Sequence, residues 1–187
     1  MKPRMRIWLA PLTVAALAAM PASAMAEEKT CRGTIGAVTH DNIRVPQGAT
    51  CTLRGTTAQG TVKVERGARL RAIDVRVIGN VQGENARRVN VVRGSRIGGS
   101  VQVVQGRAAK VADSRVKADI LYDDNSAFVK ALRNRVGGNV QAFQNTGGVE
   151  IRRNTIDGNL QCKENVPGPI GGGNVVHGNK EDQCAGL

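Results

Sequence analysis

Arginine recurs at 76, 96, 115 and 135, each time immediately before an aliphatic residue, and the series then passes to Thr155. A guanidinium is a planar fork of donors that matches carboxylate, sulfate or phosphate. A line of them is therefore a candidate site for a linear polyanion. Arg71, Lys110 and Lys130 form a second, looser basic row at related intervals. Asp74 and Asp113 stand two residues before Arg76 and Arg115, where they are expected to offset part of the charge, and Arg133 and Arg153 take that place further along. The whole chain carries 27 Lys and Arg against 15 Asp and Glu, a formal charge of +12 in 187 residues, which favours contact with acidic partners without specifying one.

Other reactive residue types are sparse. The two histidines, His40 and His177, lie at opposite ends of the chain. Asp119, Asp123 and Asp124 are the one acidic concentration, but neighbouring residues in an extended chain face opposite ways, so no metal site is expected. Gly171-Gly172-Gly173 lacks the strand-to-helix setting of a phosphate loop. Of the aromatics after residue 26, Tyr122, Phe128 and Phe143, the tyrosine falls at an inward position and the two phenylalanines are expected to fill the interior. No catalytic residue and no cofactor is assigned.

The elements that must carry these residues follow from an internal repeat. Ile43, Val62, Val81, Val101, Ile120, Val140 and Leu160 are spaced by 19 or 20 residues, and so are Val77, Ile97, Val116, Val136, Ile156 and Val176. Each repeat holds three short stretches of period-two alternation, such as Val101-Gln102-Val103, Ala109-Lys110-Val111 and Arg115-Val116, which is strand and not helix patterning. Between repeats stand Gly79-Asn80, Gly99-Ser100, Ala118-Asp119, Gly138-Asn139, Gly158-Asn159 and Gly178-Asn179. Glycine and asparagine tolerate a left-handed corner, and stacking would line Asn80, Ser100, Asp119, Asn139, Asn159 and Asn179 into a hydrogen-bonded ladder. Gln82, Gln102, Gln141 and Gln161 read as an outward amide ladder. The pattern predicts an all-β chain, a right-handed parallel β-helix of about seven coils, since the left-handed form keeps a stricter period of about 18 residues. The Arg row then points outward at about 4.8 Å per step, and His40 and His177 are too far apart to share a site.

Four cysteines allow three pairings. The coil register selects Cys31–Cys51 and Cys162–Cys184, one pair at each open end, and each closed loop of about 20 residues is worth roughly 3 kcal/mol by chain entropy. Residues 1–26 read as a cleaved export signal: Lys2, Arg4 and Arg6, an apolar run from Ile7 to Met20, and Ala24-Met25-Ala26. Residues 27–187 then form the single β-helix domain, with 24 basic and 15 acidic residues, a charge of 24 − 15 = +9.

From Asn42 to Asn179 the coil length, the aliphatic stacks and the Asn corner resemble the right-handed β-helix superfamily that includes the pectate lyases. The Gly158–Lys163 and Gly178–Cys184 segments are similar to the endings of exported bacterial β-helix proteins. The resemblance implies as one reading a small polysaccharide lyase or hydrolase. The near-constant coil length, with no insertion to wall a cleft, favours a non-enzymatic binding or structural module of the envelope. The expected protein is periplasmic or secreted, monomeric and without an integral membrane segment after signal removal. Its expected partner, an acidic polysaccharide or lipopolysaccharide, is met by Arg76, Arg96, Arg115 and Arg135, with Lys110 and Lys130 beside them.

Overall fold

In a computed structural model that describes residues 27–187, the chain is a parallel β-solenoid of about seven turns. The expected signal segment, 1–26, lies outside the described residues. Among the described residues no helix is long and apolar enough to cross a membrane.

Each coil contributes one strand to each of three parallel sheets. In one coil these are Val101–Val104 in sheet A, Ala108–Ala112 in sheet B and Arg115–Val116 in sheet C. Sheet A has nine strands, and sheets B and C have eight each. Register is constant from coil to coil: Val101 pairs with Val81 below and Ile120 above. The sequence period therefore becomes a set of straight columns. Ile43, Val62, Val81, Val101, Ile120, Val140 and Leu160 stack inside with at most 1% exposure. Tyr122 is fully buried among them. Its phenol, pushed up by burial, donates to the Lys130 carbonyl at 2.7 Å.

Three kinds of corner join the sheets, and two carry buried asparagine ladders that the period alone did not reveal. Between sheets A and B, the Asn125 backbone N–H and side-chain amide both donate to Asn145 Oδ1, at 3.1 and 2.9 Å. Asn145 does the same to Asn165, and Asn165 to Gln183 Oε1. Between sheets B and C, Asn134, Asn154 and Asn174 repeat the arrangement. A buried corner cannot leave its backbone groups unpaired, and one asparagine supplies both an acceptor and donors to the adjoining coils.

The left-handed backbone expected at the Gly-Asn corner lies elsewhere. Positive φ falls on the residue just before each inward ladder position, at Asp124, Gln144 and Glu164 and again at Asp113, Arg133 and Arg153. None of Gly79, Gly99, Gly138, Gly158 or Gly178 has positive φ. These glycines meet a different demand. A Cβ on Gly158 would sit 2.5 Å from Asn139 Oδ1, and one on Gly99 would strike Asn80 Oδ1. The Gly-Asn corner is itself bridged from side chain to backbone: Ser100 N–H donates to Asn80 Oδ1 at 2.8 Å, and Asn159 N–H donates to Asn139 Oδ1 at 2.8 Å.

Both ends are pinned by disulfides, Cys31–Cys51 and Cys162–Cys184, spanning 20 and 22 residues. Phe128 and Phe143 depart from expectation and are not core residues. Phe143 occupies an outward alternate position of Val140–Phe143, and Phe128 is exposed.

Two stability tests follow the column assignment. Val101→Asp buries an unpaired carboxylate and is expected to prevent folding, whereas Gln102→Asp, on the next outward position, is expected to shift the thermal melt by only a few degrees. Asn145→Ala orphans the Asn125 N–H, removes one of the donors to the Tyr122 carbonyl and should cost about 2–4 kcal/mol in denaturant unfolding. Asn159→Ala, at the half-exposed corner, should cost about 1 kcal/mol.

Candidate functional site: two cationic faces

The third strand of each coil is two residues long, with an outward first position and an inward second one. The inward residue, Val77, Ile97, Val116 or Val136, anchors the strand in the core and so fixes the residue before it on the surface. Arg76, Arg96, Arg115 and Arg135 are direct register partners down sheet C, preceded in the column by Thr57 and followed by Thr155. All four arginines are exposed, and among the described residues none forms an ion pair.

The row is one wall of a groove of about 460 Å³. The column on its other side runs Ile78, Gly98, Lys117, Gly137 and Asp157. Gly98 and Gly137 leave the floor bare, and a Cβ at either would collide with the carbonyl of Ile78 or Lys117 one coil below. Lys117 adds a fifth unpaired cation, one with no counterpart of its own kind in the adjoining coils. At the C-terminal end the charge reverses: Asp157 Oδ1 lies 3.2 Å from His177 Nδ1, both half exposed on adjacent coils. The groove thus offers a cationic stretch several coils long with an acidic stop.

The charge compensation differs from the expected one. Asp74 and Asp113 sit at the left-handed corner and not on the strand face of the row. Asp113 accepts two hydrogen bonds from Arg133 of the next coil, at 2.6 and 2.8 Å, and that guanidinium holds its carboxyl below the usual carboxylate range. Arg133 is therefore neutralised, and Arg115 is not. The contacting neighbour in a solenoid is one coil away, not two residues away.

The second basic row is not continuous. The column runs Thr52, Arg71, Asn90, Lys110, Lys130 and Glu150. Lys130 donates to Glu150 at 2.9 Å and stands 4.6 Å above the Phe128 ring. It is committed within the protein, leaving Arg71 and Lys110 as the free members. Sheet B carries two further outward arginines in a parallel column: half-buried Arg69 and exposed Arg88 are register partners. By contrast, sheet A pairs several of its outward groups, with Gln141 donating to Gln161 at 2.8 Å, Gln161 to Glu181 at 2.7 Å and Arg44 to Glu65 at 3.2 Å.

The aspartates named in the sequence do not converge. Asp119 is a corner acceptor for Asn139, and Asp124 is a left-handed corner residue. Among the described residues no three His, Cys, Asp or Glu side chains form a group able to hold a metal ion. Comparison with protein-family models, curated proteins and solved structures finds no match to the chain.

Asp113→Asn is expected to release Arg133 and to raise the salt concentration that elutes the protein from a sulfated-polysaccharide column. Its stability cost at pH 7 should be small, since both partners are half exposed. The sign follows from the depressed carboxyl. The Asp113–Arg133 contribution is present above the unfolded carboxylate pKa of about 3.9 and is lost as pH falls through the lower folded value. The melting difference between wild type and Asp113→Asn should therefore close in acid.

Proposed function

We propose that the protein is an exported, non-enzymatic β-helix of the cell envelope or its surroundings that binds a linear acidic polymer along sheet C. The single observation that carries this reading is the column Arg76, Arg96, Arg115 and Arg135: in register, exposed, unpaired and walling a groove. A polymer with repeated carboxylates, sulfates or phosphates meets several guanidinium groups in succession. Each contact releases condensed counterions, so retention falls with salt, as it does for nucleic acids. The bare floor at Gly98 and Gly137 lets a chain lie close to the backbone. The acidic polysaccharides and lipopolysaccharides of a bacterial envelope have this chemistry.

The coil length and three-sheet cross-section support a place in the right-handed β-helix superfamily. Two disulfides support an oxidising compartment, periplasmic or extracellular, consistent with a signal at 1–26. With both ends pinned, a monomer is the working state.

The test is retention on heparin and on immobilised lipopolysaccharide. Replacing Arg96, Arg115 and Arg135 together with Gln is expected to abolish retention at moderate salt. Replacing Arg32, Lys63 and Lys180, exposed cations away from the groove, removes the same charge and should lower the eluting salt only slightly. Equal losses from the two triple variants would reduce the row to part of a diffuse basic surface and overturn the proposal.

A further inference from the structure

Sheet B holds a second concavity, of about 530 Å³, on a face separate from the sheet C groove. Its formation follows from side-chain length. In the column Arg71, Asn90, Lys110 a short amide stands between two long cations, which are thus two strand spacings, about 9.6 Å, apart at the backbone. One step earlier along the same strands Arg69 and Arg88 face outward as register partners, and Arg93 closes the side towards sheet C. Asn90 is half buried with both flanking residues inward, so its amide points out of the sheet at the bottom of the depression. It is not tied into an amide ladder as the glutamines of sheet A are.

The electrostatics are lopsided. Arg69, Arg71, Arg88, Arg93 and Lys110 all line the depression, and among the described residues none is in an ion pair. The one acid on the rim, Asp113, is occupied by Arg133. Arg69 directly opposite Arg88 is an unfavourable cross-strand pair with no internal remedy. An anion placed over Asn90 would relieve it, reaching cations on every side while accepting from the amide.

We propose that this depression is a binding site for a phosphomonoester, carried by a sugar or by a lipid headgroup. The preference for phosphate over carboxylate or sulfate follows from count. A phosphomonoester brings nearly two charges and three equivalent acceptor oxygens, enough to engage Arg71, Lys110 and the Arg69–Arg88 pair together. A carboxylate offers two oxygens and one charge, and a sulfate ester offers one charge spread over three. The site is independent of the sheet C groove, which suits an extended chain and not a compact dianion.

The experiment is titration of isotopically labelled protein with glucose 6-phosphate, following the Asn90 side-chain amide by NMR, with glucose 6-sulfate and glucuronate as comparators. Glucose 6-phosphate should shift that amide saturably, and the two monoanions should bind at least about tenfold more weakly. Asn90→Asp, an outward change whose folding is verified by the rest of the amide spectrum, should lose binding by at least about tenfold. So should Arg71→Gln with Lys110→Gln. The sheet C triple variant should bind glucose 6-phosphate like wild type, so failure of the polymer reading and failure of this one are separable. Vesicles containing phosphatidic acid, against vesicles of phosphatidylglycerol, identify the source: Asn90→Asp-sensitive capture by the former assigns a lipid headgroup, and sugar-phosphate binding without capture assigns a free ligand. Equal affinity for the sulfate, persistence of binding in Asn90→Asp, or binding of neither glucose 6-phosphate nor phosphatidic acid vesicles overturns the proposal.

Discussion

Backbone hydrogen bonding between successive coils, parallel and in unbroken register, is the constraint from which every other feature derives. It sets a rise of about 4.8 Å and converts any residue type that recurs with the period into a straight line of side chains. A column inherits both the benefit and the cost of self-contact. Aliphatic columns gain from it, since valine on valine excludes water along the whole axis. Asparagine columns gain more, because each amide is at once donor and acceptor for its own kind. Cationic columns lose. Adjacent unit charges at this spacing repel by roughly 1 kcal/mol in water, less with salt.

That asymmetry gives the surface chemistry its meaning. Sheet A resolves part of its outward columns internally, by Gln141 on Gln161 and by Arg44 between Glu28 and Glu65. Sheet B resolves one of its columns at Lys130–Glu150 and stops there. Sheet C leaves four arginines facing one another with no acid among them. The same chain thus pairs part of its outward charge on sheet A, where Lys63 and Lys180 stand apart from one another, and leaves adjoining cations unpaired on the other two faces. In the proposed reading an external anion removes the repulsion, and the clustering of unpaired cations on two faces is what distinguishes a binding surface from a merely basic one.

The sequence made the coil period, the inward columns, the cystine register and the position of the Arg row legible, because each depends only on spacing. What it concealed depends on contacts between coils. The Asp113–Arg133 pair spans 20 residues, whereas local spacing points from Asp113 to Arg115. The left-handed corners were hidden for a related reason: the turn-forming Asp74, Asp113 and Asp124 alternate there with Arg133, Gln144, Arg153 and Glu164, which have no turn signature and stand beside the buried Asn ladder. Glycine at the Gly-Asn corner was visible but misread, its role being room for the oxygen of the coil below and not a positive φ. The sheet B concavity had no sequence signal of its own. It arises from a gap, Asn90 between Arg71 and Lys110, and a recurring residue type leaves no trace in the coil where the cation is missing.

The two cationic faces differ in the shape of anion they can satisfy, and the difference is again one of columns. On sheet C an uninterrupted column repeats one guanidinium per coil, so the anion that satisfies it must also repeat, and affinity grows with the number of coils engaged. On sheet B the interrupted column and its neighbour surround a point, so a compact dianion suffices and a longer chain adds little. A rigid solenoid core holds the backbone positions of both arrays before any ligand arrives, leaving side-chain freedom as the main entropy lost on binding. Polymer and point-charge recognition can then coexist on one domain of constant coil length, without the inserted loops that most binding clefts require.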